Sequence, residues 1–143
     1  MNVRLFYLLQ RKLYIIYITG IILVLSRQVA TLKNEGEFLM EKHNHNLNIH
    51  YSSPDYIWDK LAELYSGMPG WSGFIDGITY WYAQDNDKRR INASVEPSGL
   101  QFYAEMQQEE WDKWFELFKT KASATLGFEI GEPEDGFEFH IYS

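Results

Sequence analysis

Trp111, Trp114, Phe115, Leu117, Phe118, Ala122 and Leu126 recur at intervals of three and four. Only an α-helix gathers that spacing onto one side. A stripe built of Trp and Phe needs an apolar surface of similar breadth to cover it, so the rest of the chain must supply one. Glu109, Glu110 and Asp112 near the start of this segment, and Lys119 and Lys121 towards its end, complement the helix macrodipole. Gly127 stops it. A second, shorter stripe comprises Ile57, Trp58, Leu61, Leu64 and Tyr65. Ser53 is its expected N-cap, with Pro54 at the first helical position and Asp55 in the first turn; Gly67 ends it.

The covering surface is legible between the two helices. "ITYWYAQ" (78–84), "RINASVE" (90–96) and "LQFYAEM" (100–106) are β-branched, aromatic or alternating, and "DNDK" and "EPSG" turn the chain between them. They read as an antiparallel meander. "NLNIHYS" (46–52) reads as a further strand. Trp71 to Gly77 reads as an aromatic-bearing loop punctuated by glycines. After Gly127, "FEI" and "FEFHIYS" around "GEPEDG" read as a second hairpin or a last strand joining the sheet. The order β-α-β-β-β-α-β is α+β. The expected architecture is two aromatic-rich helices packed on one face of a mainly antiparallel four- to five-stranded sheet.

All of this lies after residue 40, where composition changes. Residues 1–40 hold five Lys/Arg (Arg4, Arg11, Lys12, Arg27, Lys33) against Glu35 and Glu37, a net of +3, and the whole chain carries −7, which leaves −10 for residues 41–143. Glu35-Gly36-Glu37 can be encoded by a purine-rich run, with a short spacer before the codon of Met40, so residues 1–40 are expected to be a translated leader. The alternative is an N-terminal membrane anchor through residues 13–26. "LYIIYITGIILVL" is shorter than the ~20 residues that span a bilayer, and "SRQVATLK" offers no convincing signal cleavage site. The expected working unit is a single acidic α+β domain, residues 41–143.

That acidity argues against nucleic acid, which needs clustered Lys and Arg. Lys88-Arg89-Arg90, flanked by Asp85 and Asp87, reads as a turn and strand entry. The chain has no cysteine, which fits a reducing, cytoplasmic setting. No membrane contact is expected unless residues 1–40 are translated and retained.

Catalytic, metal and cofactor signatures are not evident. His43-x-His45 offers two nitrogens, but in an expected terminal tail and without the further ligands a site requires. His140 falls within the expected last strand, where it would meet His50 across the sheet. Ser66, Ser72 and Ser98 precede glycine outside any G-x-S-x-G. Gly67, Gly70, Gly73 and Gly77 form no phosphate loop. The paired acids sit in expected turns and at a helix start rather than in an enclosed pocket.

The aromatic content is the most unusual feature, and exposed Trp and Tyr are favoured anchors of protein interfaces. The candidate partner-binding residues are Asp85, Asp87, Glu109, Glu110, Glu132, Glu134 and Asp135, which would steer a basic partner surface, and Trp71, Trp81 and Tyr82, which would anchor it. "YSSPDYIWDKLAELYSGMPGWSGF", "ASVEPSGLQFYAEM", "EWDKWFELFK" and "LGFEIGEPEDGFEF" together resemble a group of small proteins from Bacillus-type bacteria. The resemblance covers most of residues 47–139 and none of the first 40. Proteins of this size and acidity there are often immunity partners of secreted polymorphic toxins. The resemblance therefore implies a non-enzymatic protein that neutralises a cognate toxin, and it transfers no residue role. The alternative is a small ligand-binding or enzymatic domain using the 67–77 loop, with Asp76 or Glu96 in a closed cavity.

Overall fold

The structure, a computed structural model, describes residues 16–25, 40–84 and 86–143. The chain divides into two units, Met1–Leu39 and Met40–Ser143. In the first unit residues 16–25 are helical and exposed. Among the described residues no helix is long and apolar enough to cross a membrane. Residues 1–15 and 26–39 of the expected leader, and so both ends of the alternative anchor at 13–26, lie outside the described residues.

The second unit is α+β, with strands β1 (Glu41–Leu47), β2 (Trp71–Ile75), β3 (Ile78–Trp81), β4 (Arg90–Glu96) and β5 (Gly99–Met106), and helices α1 (Asp55–Ser66) and α2 (Gln108–Leu126). The sheet is antiparallel throughout, in the order β1-β5-β4-β3-β2. The expected meander is present as β3-β4-β5. Pro97-Ser98 is its tight turn, because Glu96 pairs directly with Gly99.

Strand alternation sends His43 and Leu47, Thr79 and Trp81, Ile91 and Ala93, and Leu100, Phe102, Ala104 and Met106 to one face, where all are buried. Both helices cover that face. Phe102 is central: its ring lies 4.8 Å from Phe118, 5.7 Å from Phe115, 5.9 Å from Trp114 and 6.1 Å from Trp81. Burying each such ring stabilises the fold by ~1.5–3 kcal/mol. The indole N–H groups also find acceptors: Trp81 donates to the Tyr65 carbonyl, Trp114 to Pro69 and Trp58 to Ser53, each at 3.0 Å. The first two bonds fix α1 and the segment after it against the sheet and α2, and the third ties α1 to the residues before it. Burial also pushes the Tyr65 phenol well above its ordinary pKa.

Four sequence expectations are corrected. The first strand begins at Glu41, not Asn46, so His43 and His45 lie in β1 rather than in a tail. His43 stacks on Trp111 at 5.2 Å, and its Nε2 is 3.0 Å from the Met106 carbonyl. Second, Trp71–Ile75 is strand β2, and Asp76 and Gly77, with φ of 51° and 79°, form a two-residue turn into β3. Asp-Gly is a preferred pair for that primed hairpin turn. Third, Ser53 does not cap α1: the N-cap position is Pro54, and the Ser53 hydroxyl donates to the His50 carbonyl at 2.6 Å.

Fourth, residues 127–143 contain no strand. Irregular arms on either side of the short 3₁₀ turn Pro133–Asp135 come together without a ladder. Asn48, 2% exposed, takes its place. Its Nδ2 donates to the Glu129 carbonyl (3.0 Å) on one arm and to the Glu138 carbonyl (2.9 Å) on the other, while Gly131 N–H donates to its Oδ1 (2.9 Å). Phe137 lies flat over Gly131, where a Cβ would come within 2.4 Å of the ring. His140 stacks on Phe128 at 4.6 Å rather than meeting His50.

Candidate functional site

Where α2 begins beside the end of β3, several of the expected binding residues meet. β3 ends at Trp81, and Tyr82 follows with φ of 56°. Asp76 shares that left-handed backbone, but a hairpin turn explains it. For a bulky Tyr outside such a turn the conformation costs roughly 1–3 kcal/mol and persists only where surroundings enforce it.

Two contacts enforce it here. Tyr82 N–H donates to the Gly70 carbonyl at 2.7 Å. The phenol ring then lies over Gly70, so near that a Cβ there would be 2.6 Å from it. On its other side the ring receives Arg89, whose guanidinium carbon is 4.3 Å from the ring centroid.

Arg89 is held in turn. Its Nε is 3.1 Å from Asp87 Oδ1 and its Nη2 3.1 Å from Asp87 Oδ2, a bidentate pair; Nη1 is 3.4 Å from Glu110 Oε1 at the start of α2. The Arg89 hydrogen bond lowers the Asp87 carboxyl below the ordinary carboxylate range. The Tyr82 phenol is raised by burial, with Arg89 opposing. The result is a flat aromatic–guanidinium–carboxylate stack whose cation is already engaged, which leaves its outer surface to be read through carboxylate and ring edges. Ser72 locks the neighbouring turn by donating to the Gly70 carbonyl and accepting from Ala83 N–H, both at 3.0 Å. Trp71, half-buried, leans on Trp81 at 5.9 Å and on Phe74 at 5.4 Å. Phe74 is 56% and Ile75 51% exposed along the edge strand.

The sequence-derived residues thus divide. Tyr82, Asp87 and Glu110 converge on Arg89, and Trp71 stands beside them through Gly70. Trp81 is 0% exposed, so it is a core residue and not an anchor. Alternation alone could not tell which of Trp81 and Tyr82 faced inward. Glu109 pairs with Lys113 on the outer side of α2 at 2.9 Å. Glu132 takes the His45 ring nitrogen at 2.9 Å, away from the corner. Glu134 and Asp135 are exposed in the 3₁₀ turn. Asp85 lies outside the described residues. Arg89, the organising residue, belongs to the Lys88-Arg89-Arg90 run that by sequence is a turn and strand entry; the Asp87-x-Arg89 spacing is the available signal. Gly70 carried a signal only as one of several glycines.

The alternative placed Asp76 or Glu96 in a cavity at the 67–77 loop. Asp76 instead stands exposed at a hairpin tip and Glu96 accepts from Ser94 at 3.0 Å. Neither lines the open cleft of about 580 Å³ formed by Gln84, Asn86, Asp87 and Arg89, nor the larger one beside the C-terminal arms. His43 and His45 are committed to Met106, Glu132 and the Trp111 ring, and among the described residues no three potential ligands gather as a metal site.

No protein-family model matches this chain, and neither a curated protein nor a solved structure matches it.

Proposed function

We propose that Met40–Ser143 is a protein-binding module that docks on a basic partner surface through the Tyr82–Arg89 corner, and that the partner is a toxin it neutralises in the cytoplasm. The observation that carries the docking reading is Tyr82. Its left-handed backbone, braced by Gly70 and stacked by Arg89, holds a ring and two carboxylates rigid at the surface, and exposed Phe74 packs on the adjoining Trp71. Pre-ordered aromatic and charged groups lose little entropy on binding, which is how interface anchors gain affinity. The net −10 of residues 41–143 steers a cationic partner towards it. The toxin identity is supported by size, acidity and the resemblance to small Bacillus-type proteins.

The test is a native pull-down with a C-terminal tag, read by intact-mass spectrometry, comparing the wild type with Phe74→Ala and Glu110→Lys. Capture of one basic chain that both substitutions weaken supports docking, and toxicity of that chain relieved by the wild type supports neutralisation. Undiminished capture by both variants would remove the corner from the interface.

A further inference from the structure

The C-terminal arms enclose a second feature. Phe128–Ile130 and Phe137–Ile141 run beside each other without ladder hydrogen bonds, held apart by the width of the Asn48 amide and closed at one end by the Phe128–His140 stack. Between them lies a groove of about 610 Å³, lined by both arms and floored by Asn48. Glu129 and Glu138 are exposed on its two sides, and no Lys or Arg lines it. The ion pairs among the described residues use other acids: Asp87, Glu105, Glu109, Glu110, Glu116 and Glu132.

The groove therefore combines what a cation and an extended chain each require. Glu129 and Glu138, on opposite arms, both line this space, beside aromatic rings whose faces attract a guanidinium or ammonium group. The groove lies open between the two arms, so a chain segment can lie along it. We infer that the groove receives an extended, arginine- or lysine-bearing segment of the partner protein, the cation lodging between Glu129 and Glu138 beside the Phe128–His140 stack. This deepens the proposed function and rests on its reading of a basic protein partner. The corner and the groove are separate elements, so each can fail alone.

The test titrates the isotope-labelled full chain with a capped peptide alternating arginine and glycine, followed by amide chemical shifts. Its control peptide carries citrulline, which keeps the shape and removes the charge. Shifts concentrated at residues 128–130 and 137–141 are expected, with citrulline binding at least about tenfold more weakly. The Glu129→Gln/Glu138→Gln double variant changes two exposed side chains, and an unchanged far-ultraviolet spectrum verifies its fold. It should lose binding by at least a similar factor and bind the captured partner more weakly. Equal binding of both peptides, full retention by the double variant, or arms occupied by a second copy of this chain in a concentration-dependent dimer would each overturn the inference. A partner captured equally by the wild type and the double variant, yet lost on Glu110→Lys, would also overturn it while leaving the corner reading intact.

Discussion

The sheet-and-helix sandwich and the C-terminal strap (residues 127–143) are two ways of holding a chain in place. In the sandwich, neighbouring strands pair their backbones through the β1-β5-β4-β3-β2 ladder, and rings from both layers interlock around Phe102. Loss of one contact there is shared by many neighbours. In the strap, local main-chain bonds around the 3₁₀ turn and one from Asn48 N–H to the Gly131 carbonyl are joined by side chains: Asn48 for Glu129, Gly131 and Glu138, and Ser123 Oγ for the Ile130 N–H. A single amide bridges two arms that lie 81 and 90 residues away in sequence. The difference is between distributed and concentrated support, and it foretells where a change will be felt globally and where locally.

The sharpest way to break the comparison is Phe102→Ala. This removes a fully buried ring at the centre of the aromatic cluster and should cost about 3–5 kcal/mol, read as a fall in the denaturation midpoint of the whole unit. A loss confined to a few amides would mean that support in the sandwich is not distributed. Asn48→Ala should cost about 2–3 kcal/mol, from two orphaned part-buried carbonyls and an orphaned buried N–H. Its signature is local: hydrogen exchange should accelerate across 128–141 while β3, β4 and β5 stay protected. Uniform acceleration would show that the strap is part of the same cooperative unit.

Gly131→Ala tests the strap without touching a hydrogen bond. Its new methyl meets the Phe137 ring and should cost about 1–3 kcal/mol through that displacement. Asp87→Asn is expected to be the mildest, about 0.5–1 kcal/mol, since the pair with Arg89 is partly solvated. Its value lies in the pH dependence. The folded carboxyl is lowered below its unfolded value, so Asp87 contributes stability that is present above the ordinary carboxylate range and lost as pH falls through the lowered value. The wild type and Asp87→Asn should therefore converge in stability at acid pH, and a constant difference down to the lowest measurable pH would contradict the assignment.

Much of the sandwich was legible because its signals are local. The intervals of three and four from Trp111 onwards, the alternation in 90–96 and 100–106, and the terminating Gly127 each depend on a few neighbouring residues. The β2–β3 hairpin was equally local: Asp76-Gly77 carries the turn signal, yet the glycines around it suggested a loop. Glu109, Glu134 and Asp135 were correctly expected to be exposed acids, but acidity alone does not say which of them meet.

The sequence by itself determined the two amphipathic helices, the meander and the acidic charge balance, because side-chain periodicity and charge are properties of the chain before it folds. Only the tertiary structure decided that Trp81 turns into the core while Tyr82 stands over Gly70 under Arg89, that His43 and His45 pack on Trp111, and that Asn48 joins two distant arms. Each of these is a competition among groups far apart in the chain for the same hydrogen bond or the same space. Such competitions are settled by packing and by the cost of leaving a buried polar group unpaired.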